Sequence, residues 1–261
     1  MPNKICDSDA SANLVNETIE KEDYIAIVDV SFENFEWTQI IEDLTFEQCH
    51  FIGVSFKCDE ILSTRFLSCV FTNCKFNGQK VHESIFKQCQ FYDAITEVSS
   101  SFAYCDLSAS EFHHCDLSMC NLSRSSIYRT EFHHCQTQGI DLSHCSSESN
   151  IGGRVSLYSA KFVDCNLSYA DLSGANLSST EFIDSRLSHA LLNRTVLEDA
   201  SLVDCDVHNI EAEGLVITGA DLRGTSLSGL DVRLIDMTGV TISQNQQSAL
   251  LETLGIHIVS S

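Results

Sequence analysis

The chain has 261 residues, 43% of them hydrophobic, with a single proline and a formal net charge of -22. That length suits one large domain, the absence of any 18-residue apolar run leaves no helical membrane span, and the acidity argues against direct nucleic-acid binding, which needs a basic surface. The N-terminus is acidic and has no apolar signal-peptide core, so a cytoplasmic protein is expected.

Residues 1–45 carry eleven acids against Lys4 and Lys21, or -9. They read as an acidic leader followed by a cap, because Phe32, Phe35, Trp37, Ile40 and Ile41 supply apolar surface enough to cover the open end of whatever follows.

From Phe46 onward a large apolar residue falls on every fifth position. One phase runs from Phe46 through Phe66 and Phe86 to Phe91, a second from Phe102 to Leu142, and a third from Phe162 through Leu202 to Ile242; of all these positions only Thr137 is not apolar. Over Phe162–Leu202 a small residue stands two before each, such as Cys165, Ala170 or Ser185. A period of five belongs neither to a helix nor to an ordinary strand. It describes a coil in which each pentad makes one short side, the large residue filling the centre and the small one packing at the corner. Four sides close a turn of about 20 residues, and turns stack at the strand spacing of about 4.8 Å. The fold expected over residues 46–242 is therefore an all-β solenoid, a quadrilateral β-helix with a solid core.

Two interruptions are predicted to leave the rod as loops. The first is residues 92–100 and the second residues 148–159, the latter centred on Gly152 and Gly153 with Arg154 beside them. Insertions in a solenoid map to its surface and are disproportionately where binding occurs. In residues 243–261 Ser243 can start a short helix that Gly255 ends. Leu250, Leu251, Leu254, Ile256 and Ile258 then exceed what a solvated tip should show, and a two-fold homodimer contact is expected there.

Thirteen cysteines invite a disulfide or metal reading. Eleven of them, from Cys49 to Cys205, occupy the small inward position where Ala, Ser and Thr also occur, so they read as packing residues. The sequence EFHHC occurs at Glu111–Cys115 and again one coil later at Glu131–Cys135. It stacks His113 under His133 and His114 under His134, facing outward. No fixed thiolate or carboxylate completes a metal site there. No nucleophile motif, P-loop or calcium-binding repeat is present, so neither catalysis nor a cofactor is expected.

The segments ADLSG at Ala170–Gly174, ANLSS at Ala175–Ser179 and ADLRG at Ala220–Gly224 resemble the A(D/N)LXX consensus of pentapeptide-repeat proteins. That resemblance implies a right-handed quadrilateral β-helix. More specifically, FKQCQFYD at Phe86–Asp93, CDLSMCNLS at Cys115–Ser123, NLSYADLS at Asn166–Ser173 and the ending VTISQNQQSALLETLGIHIV resemble the Qnr quinolone-resistance proteins. The resemblance implies binding without chemistry to DNA gyrase and topoisomerase IV, protecting both from quinolones by way of a larger loop. That loop corresponds to Ser149, Asn150, Ile151, Gly152, Gly153, Arg154 and Val155, with Arg154 offering a charge-assisted contact to a carboxylate or phosphate. The smaller loop, with Tyr92, Asp93, Ile95 and Glu97, would support the larger. Other readings open at this point are a generic interaction scaffold, an immunity factor against a gyrase-directed toxin, and a metal-binding protein using the histidine columns.

Overall fold

Twenty-residue stacking is visible directly in the strand register. In this computed structural model, which describes residues 4–6, 26–151, 155–226 and 230–257, Phe46 pairs with Phe66 and Phe66 with Phe86 in parallel, in-register strands. The chain is a parallel β-solenoid with four faces. Face 1 carries an eight-stranded ladder running from Ala26–Val28 through Thr45–Glu47, Arg65–Leu67 and Ile85–Lys87 to Glu181–Ile183. Face 2 is centred on Phe51, Phe71 and Phe91, face 3 on Phe56, Phe76 and Phe102, and face 4 on Ile61, Val81 and Leu107.

The central residues are fully buried and stack on their own kind. Phe66 and Phe86 lie 4.8 Å apart ring to ring, Phe86 and Phe112 4.8 Å, and Phe112 and Phe132 4.9 Å, all nearly parallel. That distance is the rung spacing of the sheet, so identical residues stack with no adjustment of backbone.

The inward small position does more than save space. Cys115 Sγ donates to the Phe86 carbonyl at 3.3 Å, Ser125 Oγ to that of Phe102 at 2.7 Å and Thr130 Oγ1 to that of Leu107 at 2.9 Å. A short donor one coil on thus reaches the carbonyl of the central residue. This is why Cys, Ser and Thr interchange there, a role that reading them as packing residues missed. Twelve cysteines are buried and free. Burial pushes the Cys74, Cys105, Cys145 and Cys205 thiols up to about 12.

The solenoid starts earlier than the pentad count suggests. Ile27, Phe32, Trp37 and Ile41 form a complete coil, paired with Phe46, Phe51, Phe56 and Ile61. They are repeat residues and not a separate cap. Trp37 and Ile41 are four residues apart instead of five, which hid this coil from a search at period five. The strand Lys4–Cys6 pairs in parallel with Val30–Glu33 and adds one more rung on face 2.

At the other end Ser243 precedes a 3-10 turn, Gln244–Gln246, and a helix, Gln247–Thr253, followed by Gly255 at φ 76°. The Gln246 side chain is buried. Its Nε2 donates to the carbonyls of Leu222 at 2.8 Å and Thr225 at 2.7 Å, and its Oε1 accepts from the Ser243 N–H at 2.6 Å. One glutamine thus closes the backbone ladder at its open edge.

Candidate protein-interaction site

Both predicted loops are β-hairpins. In the larger, Glu148–Ile151 pairs antiparallel with Val155–Tyr158, joining Ser149 to Leu157, Asn150 to Ser156 and Ile151 to Val155. Gly152, Gly153 and Arg154, at its turn, lie outside the described residues. The hairpin is inserted cleanly. Ser147 and Ala160 on either side keep their buried places, the Ser159 N–H donates to the Ser147 carbonyl at 3.1 Å, and Phe132 stacks on Phe162 at 4.6 Å as though nothing intervened. Leu157 projects from it, exposed.

The smaller hairpin pairs Tyr92 with Ser99 and Asp93 with Val98. Ser100 does not belong to it: that side chain is buried in the coil and donates to the Phe71 carbonyl at 2.8 Å. The tip is held by Asp93, whose carboxylate accepts from the Thr96 hydroxyl at 2.7 Å and the Ile95 N–H at 2.9 Å. Those two bonds, that from Thr96 the stronger, hold the Asp93 carboxyl below its ordinary pKa. The turn displays Ile95 at its apex, 95% exposed. A large apolar side chain held in water by a pre-formed turn is suited to fill a pocket on another molecule. Glu97 sits in the same turn at φ 57°.

The hairpins do not share an edge. The smaller leaves between faces 2 and 3, after Phe91, and the larger between faces 4 and 1, after Ser147, so the corners are diagonally opposed. Support of the larger by the smaller has no path along a common corner of one chain.

The histidine columns stack as the spacing predicts: His113 on His133 at 5.0 Å and His114 on His134 at 4.8 Å. Their ring nitrogens meet carboxylates, His113 with Glu111 and His133 with Glu131, each at 2.8 Å, and His134 Nδ1 with Asp164 at 2.8 Å. Among the described residues no group of three or more His, Cys, Asp or Glu is arranged to hold a metal ion.

At the C-terminal tip Leu250 packs against the core, Leu251 is half-buried, and Leu254 and Ile256 are exposed, while Ile258 lies outside the described residues. Among the described residues no helix is long and apolar enough to cross a membrane.

Comparison with known proteins agrees with this architecture. A family model described as pentapeptide repeats matches residues 105–145, 160–199 and 180–214. The chain is 34% identical over 107 residues to the quinolone resistance pentapeptide repeat protein QnrB96 of Scandinavium goeteborgense, covering 41% of this chain and 50% of that one. It is 32% identical over 103 residues to the pentapeptide repeat protein QnrB4 of Escherichia coli, covering 40% and 48%. The chain thus spans about half the length of the curated relatives it matches. The structure of trypsin-treated QnrB1, a plasmid-mediated fluoroquinolone resistance protein, superposes with a TM-score of 0.69 at 26% identity, covering 90% of this chain and all of that one. Full-length QnrB1 superposes at 0.67 over 87% of this chain. Repeat, relatives and superposition agree: the chain carries pentapeptide repeats and is similar in sequence and fold to the Qnr quinolone-resistance proteins.

Proposed function

We propose that this chain binds the bacterial type II topoisomerases, DNA gyrase and topoisomerase IV, and protects them from quinolones without performing chemistry. The observation that carries the reading is the larger hairpin. It projects from a rod that is otherwise in register on both sides of it, in a chain whose relatives are named for quinolone resistance. A projecting hairpin on a filled, rigid scaffold can reach into a cleft that the rod itself cannot enter. The smaller hairpin offers Ile95 as a second anchor. The net charge of -22 favours a positively charged partner and steers the encounter.

In this reading the protein is cytoplasmic and dimerises through the exposed side chains of its C-terminal tip, Leu254 and Ile256. The test is a supercoiling assay with purified gyrase and ciprofloxacin, titrated with this protein. Recovery of supercoiling supports the reading, and undiminished inhibition in the presence of folded protein overturns it.

A further inference from the structure

The corners of the coil place residues at positive φ, where an L side chain costs about 1–2 kcal/mol. Glycine and asparagine fill such places cheaply, as Gly139, Gly174, Asn73 and Asn209 do here. Most other corners carry polar or charged residues such as Asp164, Arg124 and His144, whereas Tyr104, Met119 and Tyr169 place large apolar side chains there. They stand at φ 61°, 57° and 61° and are 64%, 57% and 57% exposed. Among the described residues they are the large apolar side chains that combine positive φ with exposure. Each therefore bears a backbone cost that is not recovered by burial in the core.

All three border face 3. Met119 and Tyr169 lie on its edge with face 2, two rungs or about 10 Å apart, and Tyr104 lies on its edge with face 4. Met119 folds over Gly139 on the next coil, where a Cβ would meet its sulfur at 2.5 Å, and Tyr169 stacks on His189 at 4.8 Å. The result is a continuous ridge.

Between the two edges the floor is made of small side chains, Ser123, Ser143 and Ser173, and of the paired rungs Asn121, Asp141 and Asp171. Asp141 and Asp171 each accept a backbone N–H at 2.9 Å, from Ser143 and Ser173. Within the described residues neither has a cationic partner. Two adjacent carboxylates, held about 4.8 Å apart by the ladder and bordered on the face 2 edge by exposed Met119 and Tyr169, with Arg124 and His144 following Tyr104 on the other edge, complement a segment that carries both positive charge and apolar side chains.

We propose that face 3, between Tyr104 on one edge and Met119 and Tyr169 on the other, is a second docking surface that seats a basic, amphipathic segment of the topoisomerase. The inference rests on the topoisomerase reading above but concerns a different part of the rod from the larger hairpin. Binding of fluorescently labelled protein to gyrase and to topoisomerase IV holoenzymes would be compared for wild type and the variant Tyr104→Asn/Met119→Asn/Tyr169→Asn. Because asparagine suits positive φ, the variant should keep or raise the wild-type Tm. Binding at least tenfold weaker at unchanged or higher Tm is the expected result. In Asp141→Asn/Asp171→Asn, binding should also lose part of its salt dependence. Wild-type affinity in the triple variant would overturn the docking surface and leave the topoisomerase reading standing. Wild-type protein that binds neither enzyme would overturn both. A triple variant that unfolds would assign these side chains to packing and overturn the proposal.

Discussion

His134 Nδ1 stands 2.8 Å from Asp164 Oδ2, although thirty residues separate the two in the chain. Away from the two hairpins and the first coil, neighbouring rungs are twenty residues apart, as in the Ser168–Ser188 contact. The larger hairpin therefore adds ten residues to one coil without displacing it. Deleting residues 149–158 joins Glu148 to Ser159 and restores the pentad phase, since Ala160 and Phe162 already occupy their inward places. Closing the coil should change stability by less than about 1 kcal/mol, a few degrees in Tm at this size. Under the proposed function the same deletion abolishes protection. Circular dichroism and the supercoiling assay separate the two effects, and protection surviving the deletion would remove the hairpin from the site.

The buried thiols give a second prediction. Twelve cysteines are buried and free, and Cys6 is the thirteenth. An aromatic disulfide reagent should titrate no more than one thiol in the folded protein and all thirteen after unfolding. Rapid reaction of several thiols without denaturant would mean that the coils open locally or that the cysteines face outward. Cys135→Ala should cost less than about 1.5 kcal/mol, because alanine already fills this position at Ala170, Ala190 and Ala200.

The pentad made the rod legible from Phe46 onward, because each large residue stacks on an equivalent one a coil away. The same logic failed over Ile27–Ile41, where one missing residue between Trp37 and Ile41 breaks the phase while the strand pairing continues. The hairpins were legible as departures from the repeat. Their strands were not, since Glu148–Ile151 and Val155–Tyr158 are four residues each and carry no clear alternation. The Tyr104, Met119 and Tyr169 surface was hidden for another reason: those residues occupy corner positions that otherwise look free to vary, and only backbone φ reveals their cost.

His82 lies between two carboxylates on adjacent coils, with Nδ1 3.2 Å from Glu60 and Nε2 2.9 Å from Asp106. Burial pushes the Asp106 carboxyl up, but hydrogen bonds from Ser108 and His82, together with the charge of His82, bring it net below the ordinary value of 3.8. A carboxylate depressed by folding stabilises the fold above its unfolded pKa and loses that contribution as pH falls toward the folded one. Thermal stability should therefore decline as pH drops below about 4, with a shallower decline in Asp106→Asn. Identical acid profiles for the two proteins would show that Asp106 does not contribute.

Corner positions can be tested in both directions. Ala109 sits at φ 58°, so Ala109→Gly removes steric strain that exceeds the added chain entropy and should raise stability by roughly 0.5–1 kcal/mol. Gly239 sits at φ 73°, and a Cβ there would lie 3.3 Å from the Gly219 Cα. Backbone cannot yield as a side-chain tip can, so Gly239→Ala should lower stability by about 1–2 kcal/mol. Urea unfolding midpoints give both signs, and a gain for Gly239→Ala would contradict the corner geometry.

Closure of the C-terminal edge depends on Gln246 more than on the apolar residues after it. Its amide donates two hydrogen bonds to backbone carbonyls and accepts a third, all at a buried position. Gln246→Leu keeps the bulk but takes the side-chain partner from the Thr225 carbonyl and the Ser243 N–H, while the Leu222 carbonyl keeps the Thr225 N–H; each group that water cannot reach costs about 1–3 kcal/mol. The expected loss is about 2–4 kcal/mol, or roughly 5–15 °C in Tm. Gln246→Glu should be worse, because it turns a carboxylate oxygen toward the carbonyls of Leu222 and Thr225. Leu254→Ser, on the exposed side of the tip, should leave the Tm of the isolated chain nearly unchanged while weakening self-association. If instead Leu254→Ser proved the more destabilising of the two at concentrations where the protein is monomeric, the rod would be sealed by apolar cover and not by completion of its backbone hydrogen bonds.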